Sequence, residues 1–167
     1  HDRFVFAGNR NLVRDVFVGG KQVIADGAHI HGERIANRYQ CSLRGLLAER
    51  FGLPLWRFKN SGSEATMDAC RIMRAATGRD LVIKVEGCYH GSSDGLAFSY
   101  WIDVDEAGPA DRPVPVPNTA GVAEVYGRAL RVVAFNDLGA VERVLDEDGD
   151  RVAGMILEPV PMNVGVI

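Results

Sequence analysis

The chain has 167 residues, with Lys+Arg 19 against Asp+Glu 22, a net charge of -3 and apolar residues at 47%; this suffices to bury one core and excludes a disordered or fibrous chain. No basic stripe is present to draw a phosphate backbone, so no nucleic-acid partner is expected, and no apolar run approaches the ~20 residues of a membrane helix. The first residues lack a leader's basic, apolar and small-residue succession, and Cys41, Cys70 and Cys88 form an odd set without a CxxC pair, so buried thiols in a soluble, cytoplasmic protein are expected.

In chain order, the first signal is a hairpin. Two β-rich runs between Val13 and Ala25 flank Gly19-Gly20, and glycine supplies the positive φ that tight primed turns require. Asp26-Gly27 ends the second run. From Glu33 to Phe51 the spacing of Ile35, Tyr39, Leu43, Leu46 and Leu47 predicts a helix with those side chains as core contacts. Leu55 to Phe58 reads as a strand. Ser61-Gly62-Ser63 then breaks the pattern before a helix with Ala65, Ala69, Ile72, Met73 and Ala76 on one side, closed by Gly78.

Leu81 to Val85 is the next strand, followed by a long irregular stretch from Gly87 to about Thr119, rich in Gly, Ser and Pro; loops of that length are commonly functional. Arg131 to Phe135 is a strand, Asp137 caps a helix with Leu138, Val141 and Leu145 inward, and Val152 to Leu157 is a further apolar strand. This alternation predicts an α/β fold with a mostly parallel sheet flanked by helices, preceded by a β-hairpin and a helix. The chain starts at His1 rather than Met and stops just after an apolar run. It is therefore expected to be a piece of a longer one, with an apolar strand edge that limits its solubility alone.

Three stretches carry candidate chemistry. In Asn60-Ser61-Gly62-Ser63-Glu64-Ala65, a glycine lets the backbone approach a ligand, the first helical N–H groups lack partners, and the dipole favours an anion. Ser61 and Ser63 add hydroxyls, which makes a phosphate monoester the natural guest. Alternatively Ser63 is simply an N-cap over a glycine turn. Glu64 reads as a first-turn carboxylate complementing the dipole. Glu86-Gly87-Cys88-Tyr89-His90-Gly91 places an aromatic ring and an imidazole at the carboxyl end of the sheet, where open α/β folds bind ligands. Tyr89 either stacks on a planar cofactor or packs on the sheet edge, and His90 by itself reads as a hydrogen-bonded structural histidine. Glu158 to Asn163 ends at the same rim, so a carboxylate and an amide can converge with the first two motifs. His29 and His31 have no third ligand nearby, and no metal is expected.

From about Leu46 to Ile167 the chain resembles class III pyridoxal-phosphate-dependent aminotransferases, most closely the glutamate-1-semialdehyde aminomutase branch. The resemblance rests on Arg57 to Ala65, Thr77-Gly78-Arg79, Glu86 to Gly91 with Asp94, Phe135-Asn136-Asp137, and Leu157 to Val160 with Asn163 and Gly165. It implies part of the large domain of a fold-type-I transferase over residues 48–167, and pyridoxal 5'-phosphate as cofactor. It further implies Ser61, Gly62 and Ser63 at the phosphate, Tyr89 stacked on the ring, His90 beside the ring without acting as the base, and Asn163 near the phenolic oxygen. The substrate class is a small amino-group donor or acceptor, and the family is homodimeric. The family's cofactor-bearing lysine and the aspartate facing the pyridine nitrogen have no counterpart among Lys21, Lys59 and Lys84 and the stretch covered. No catalytic residue is therefore assigned, and this polypeptide alone is expected not to transaminate. After Gly91 the branch has a histidine where Ser92 stands, which keeps transaminase and aminomutase both open.

Residues 1–47, with Gly8 to Gly27 as the matching stretch, resemble the closing hairpin and helix of an amidohydrolase of the formiminoglutamate deiminase group. A join is then expected near Leu46 to Arg50. Two other readings stand beside the transferase one: a hydrolase tail, and a non-catalytic α/β piece that binds phosphate-bearing ligands.

Overall fold

The computed structural model describes residues 14–163. The start of the amidohydrolase-like stretch, Gly8 to Val13, and the motif residue Gly165 lie outside the described residues. The chain divides after Arg57 into two units, taken separately below.

In the first unit the expected hairpin forms. β1 (Val16–Val18) and β2 (Lys21–Ala25) pair antiparallel across Gly19 and Gly20, whose φ values are 56° and 75°. A second tight turn follows at Asp26 and Gly27, with φ values of 50° and 80°, and folds a short β3 (Ala28–His29) back onto β2. Asp26-Gly27 thus does more than end a strand: Asp-Gly is itself a hairpin signal.

Helix α1 spans Gly32–Phe51 and ends at Gly52, which takes the left-handed conformation with φ 67°. The join expected near Leu46 to Arg50 falls inside it. Its predicted core contacts need correction: no residue of α1 is buried, Ile35, Tyr39 and Leu46 are exposed, and Leu43 and Leu47 are only half-covered. Cys41, expected to be a buried thiol, is exposed on the same helix. Periodicity names the apolar face of a helix but not whether anything packs on it.

The predicted strand at 55–58 does not form. The Trp56 indole N–H donates to the Leu53 carbonyl at 2.8 Å and Leu55 is exposed. A β-rich tetrapeptide without a neighbouring strand gains no ladder bonds, and the local turn wins.

The second unit is built on a parallel sheet of order β5-β4-β6, with β4 Leu81–Val85, β5 Leu130–Val133 and β6 Val152–Ile156. Helix α2 (Gly62–Thr77) leads into β4, and α3 (Leu138–Asp148) leads into β6. Side-chain alternation along the central strand sends Leu81, Ile83 and Val85 into a core closed by Ala140, Val141 and Val144 of α3. It sends Val82 into a second core with Cys70 of α2, Phe98 and Leu130.

The predicted helices form with their caps. Gly78 closes α2 at φ 68°, and the Asp137 carboxylate accepts from the Ala140 N–H. Two facing assignments need correction. Ala65, Ala69, Ile72 and Ala76 of α2 point outward while Cys70 is buried and Met73 half-covered, and in α3 Leu138 and Leu145 are exposed while Ala140 is buried. Both helices carry two apolar stripes, and the one closer to the sheet is chosen by the connection geometry, which spacing does not encode. Among the described residues no helix is long and apolar enough to cross a membrane.

Helix α2 packs closest to β6 at Gly154, where an added Cβ would fall 2.4 Å from Met73 Sδ. Gly154→Ala is therefore expected to destabilise the second unit by about 1–3 kcal/mol. Met73→Ala made in the G154A background should recover part of that loss in a denaturant titration. Purely additive losses would contradict the contact.

Candidate functional site

The site forms where the N-terminus of α2 meets the segment that leaves β4. Ser61 is the N-cap: its φ is -147°, its ψ 162°, and its Oγ accepts from the Glu64 N–H at 3.2 Å. The Glu64 carboxylate turns back to accept from the Asn60 N–H at 2.9 Å, a reciprocal arrangement close to a capping box and worth about 1 kcal/mol. The first intrahelical bond is that of the Ala65 N–H to the Ser61 carbonyl. The Gly62 and Ser63 amides precede it, at the positive end of the dipole. The alternative in which Ser63 caps the helix is thus corrected: Ser61 does so, and the Ser63 hydroxyl is engaged elsewhere.

Its partner is the segment after β4. Ser63 Oγ accepts from the Ser92 N–H at 3.1 Å, and the Thr66 hydroxyl donates to the His90 carbonyl at 2.6 Å. Gly91 lies between these bonds at φ 91°, and a Cβ there would fall 2.6 Å from Ser63 Cα and 2.3 Å from Ser63 Oγ. Only glycine allows this approach. Because Ser63 Oγ accepts from Ser92, its own proton is free to point at a ligand.

Glu158, beyond β6, accepts from the Tyr89 N–H at 3.2 Å. The three motifs are thus joined at the carboxyl rim through Ser63 with Gly91 and Ser92, Thr66 with the His90 carbonyl, and Glu158 with the Tyr89 N–H. Among the described residues Asn163 is not hydrogen-bonded to the others, although its buried Nδ2 is left without a partner.

The Tyr89 ring is 44% exposed and stands edge-on to Tyr100, with centroids 5.1 Å apart at 87°. One face thus remains open to a planar ligand. His90 is buried with Nε2 lacking a partner. Burial first, and then the Lys84 charge, lower its pKa to about 4, so its imidazole is neutral near pH 7.

Lys84 was weighed in the sequence only as a nucleophile. It lies fully buried on the Val82 side of β4, donating to the Cys88 carbonyl at 2.7 Å and the Val85 carbonyl at 3.3 Å. Burial lowers its pKa to about 8, against the favourable fields of the Cys88 group and of Glu158 and Glu86. A lysine inside the apolar run Leu-Val-Ile-Lys-Val was the signal that could have singled it out. Thr66 and Ser92 carried no such signal.

A groove of about 1300 Å³ runs along the outer edge of β5, lined by Arg112, Val116, Arg131 and Glu147 among others, and none of the motif residues reaches it. His29 and His31 are adjacent in space, the His31 N–H donating to His29 Nδ1 at 3.0 Å. Among the described residues no three potential metal-ligating side chains gather at one point. The site thus gathers helix amides and a serine hydroxyl at one helix end, with the partly exposed Tyr89 ring and a neutral imidazole on the segment docked against it.

The aminotransferase class-III family model matches residues 20–167. Glutamate-1-semialdehyde 2,1-aminomutase of Aeropyrum pernix is 50% identical over 111 residues, covering 66% of this chain and 24% of that protein. The enzyme of the same name from Deinococcus radiodurans is 34% identical over 163 residues, covering 98% of this chain and 35% of that protein. Among solved structures, an omega-transaminase from Sphaerobacter thermophilus superposes with TM-score 0.72 at 33% identity, over 81% of this chain and 33% of its own. A glutamate-1-semialdehyde-aminomutase from Pseudomonas aeruginosa PAO1 in complex with PMP superposes at 0.62 and 32% identity, over 81% of this chain and 30% of its own. The chain thus spans about a quarter to a third of the length of these relatives. The family match takes in β2 and α1, and the Deinococcus alignment covers nearly the whole chain; neither supports an amidohydrolase origin for the hairpin and helix.

The buried neutral His90 makes a pH prediction. Its folded pKa lies near 4 against 6.5 when unfolded, so between those values the unfolded chain binds the extra proton and stability rises with pH. The stability is fully present above pH 6.5 and is lost as pH falls toward 4, a difference of about 3 kcal/mol for this one group. His90→Asn should flatten that part of the melting-temperature profile relative to the unsubstituted chain. Parallel profiles across pH 4 to 6.5 would contradict the assignment.

Proposed function

This chain belongs to the class-III aminotransferase family, and from that premise we propose that it supplies the phosphate-cradling and ring-stacking part of a pyridoxal-phosphate site that moves an amino group on a small amino acid or amino aldehyde. The observation that carries the reading is the docking of Gly91 and Ser92 on Ser63, because it aims the helix amides and a free hydroxyl proton at one point beside Tyr89.

The residues fit the cofactor on three counts. The Gly62 and Ser63 amides and the Ser63 hydroxyl suit a phosphate dianion without a basic surface. Tyr89 has an open face for a planar ring, and the buried His90 Nε2 and Asn163 Nδ2, still lacking partners, suit a ring bearing polar atoms. When bound, pyridoxal phosphate acts as the electron sink for the bond broken at the amine-bearing carbon. The chain's own part is to bind, orient and shield it: Ser61 organises the helix end, Glu158 holds the Tyr89 backbone, and neutral His90, whose pKa of about 4 makes it a weak proton acceptor, sits beside the ring without acting as the base. Asn163 approaches the phenolic oxygen in this reading.

Relatives of this chain include aminomutases and transaminases alike, and Ser92 in place of the branch's histidine favours an amino donor at least as much as an internal rearrangement. The protein is read as a cytoplasmic homodimer. The outward Ala65, Ala69 and Ile72 of α2 form a stripe small enough for a second copy to approach closely.

Within the second unit neither lysine is presented to the cofactor: Lys84 is tied to backbone carbonyls and Lys59 is paired with Asp68. Borohydride treatment of the chain with pyridoxal phosphate is therefore expected to yield no stoichiometric pyridoxyl-lysine, and such an adduct would refute this part of the reading. Noncovalent binding, followed by absorbance and tyrosine quenching, should weaken about tenfold in Ser63→Ala, the order expected for one charge-assisted hydrogen bond. Pyridoxal, which lacks the phosphate, should be indifferent to S63A. Unchanged pyridoxal phosphate binding in S63A would sink the proposal.

A further inference from the structure

Lys84 is a fully buried charged group that the site as described does not use. Lys84 has no exposed surface, and a buried ammonium without a direct carboxylate partner costs stability that a methionine of similar length would not. Its three protons have an economical set of recipients. One goes to the Cys88 carbonyl at 2.7 Å, one toward the Val85 carbonyl at 3.3 Å, and the nitrogen stands 5.8 Å from the centre of the Tyr100 ring. That last distance is within cation–π range.

Two of these recipients, the Cys88 carbonyl and the Tyr100 ring, are next to Tyr89. Cys88 precedes it in the chain, so holding the Cys88 carbonyl fixes the peptide plane from which Tyr89 departs. Tyr100 meets the Tyr89 ring edge-on at 5.1 Å. The Tyr100 phenol is held protonated by burial and then by Tyr89 beside it, so the ring offers a neutral face to the cation. The backbone under Tyr100 is held as well: Ser99, fully buried at φ 52°, accepts through Oγ from the Val116 N–H at 3.0 Å, and the Asn118 amide donates to the Tyr100 carbonyl. Two left-handed non-glycine residues, Ser99 and Trp101, flank Tyr100. Backbone held in that region persists only where its surroundings over-determine it.

We propose that Lys84 is the positioning residue for the Tyr89 ring: its ammonium, anchored on the Cys88 and Val85 carbonyls, holds the Tyr100 ring against which Tyr89 stands. The proposal rests on the reading of Tyr89 as the residue that stacks on the cofactor. Lys84 touches neither phosphate nor ring of that ligand and acts through Tyr100 and the Cys88 peptide.

The test is a double-mutant cycle in the 167-residue chain, with pyridoxal phosphate as probe and inorganic phosphate as control. Lys84→Met keeps length and removes charge and donors. It should weaken pyridoxal phosphate roughly five- to tenfold, the order of one aromatic contact, and diminish the induced circular dichroism of the bound ligand. Inorganic phosphate affinity should not change. The distinguishing outcome is coupling: the pair K84M with Tyr89→Ala should bind no worse than Y89A alone, since a residue acting through Tyr89 has nothing left to position. Additive losses, which a general loosening of the fold would give, overturn the proposal. If K84M does not fold, Tyr100→Leu takes its place in the same cycle with the same criterion, and Tyr100→Phe should bind as the unsubstituted chain does. Should S63A and Y89A both bind pyridoxal phosphate normally, the reading of the site falls and this proposal with it. If those two weaken binding while the cycle is additive, only the role of Lys84 falls.

Discussion

The contact between Gly91 and Ser63 is the constraint on which the rest of the site depends. The backbone of the segment leaving β4 sits so near the first turn of α2 that a methyl group at Gly91 would overlap Ser63 Cα and Oγ. Two hydrogen bonds flank the approach, from Ser92 to Ser63 and from Thr66 to the His90 carbonyl. A helix N-terminus attracts anions wherever it occurs. This docking sets the Ser63 hydroxyl and the segment carrying Tyr89 against the helix end, which in the proposed reading turns a generic dipole into a place for a phosphate attached to a ring.

Electrostatics under the site follow from the same packing. The carboxyl end of β4 is buried on both faces, so Lys84 and His90 are both taken from water, and both are pushed toward their neutral forms. The outcomes differ because the partners differ. Lys84 has carbonyls and the fields of Glu158 and Glu86 to support its charge, whereas His90 has an unpartnered Nε2 and the Lys84 cation to oppose one. The near-neutral net charge of the chain fits this arrangement: an anion is recruited by dipoles and a hydroxyl at one point, with no need of a basic surface.

Much of the site was legible because its parts are local. Caps, glycine turns and the residues that end strands act over three to six positions, so Gly78, Asp137 and the hairpin glycines were readable from spacing. The convergence at one rim was readable too, since parallel crossovers bring the carboxyl ends of successive strands together. The misreadings share one cause. Ile35, Tyr39, Leu46, Ile72, Leu138 and Leu145 are apolar at helical spacing and are exposed, and the tetrapeptide from Leu55 has strand composition without a strand beside it. Each of those assignments needed a partner surface, which the local pattern does not report.

By itself, then, the sequence determined the order of elements, the turns and caps, and the clustering of three motifs at a sheet rim, all consequences of backbone stereochemistry and of chain connectivity. Tertiary structure alone decided which stripe of each helix meets the sheet, that Ser61 rather than Ser63 caps α2, and that Lys84 lies beneath Tyr100. The facing of the helices and the place of Lys84 depend on contacts between segments that are not adjacent in the chain, as Thr66 and His90 are not, and such contacts are set by packing, where the room for a single Cβ or proton decides the result.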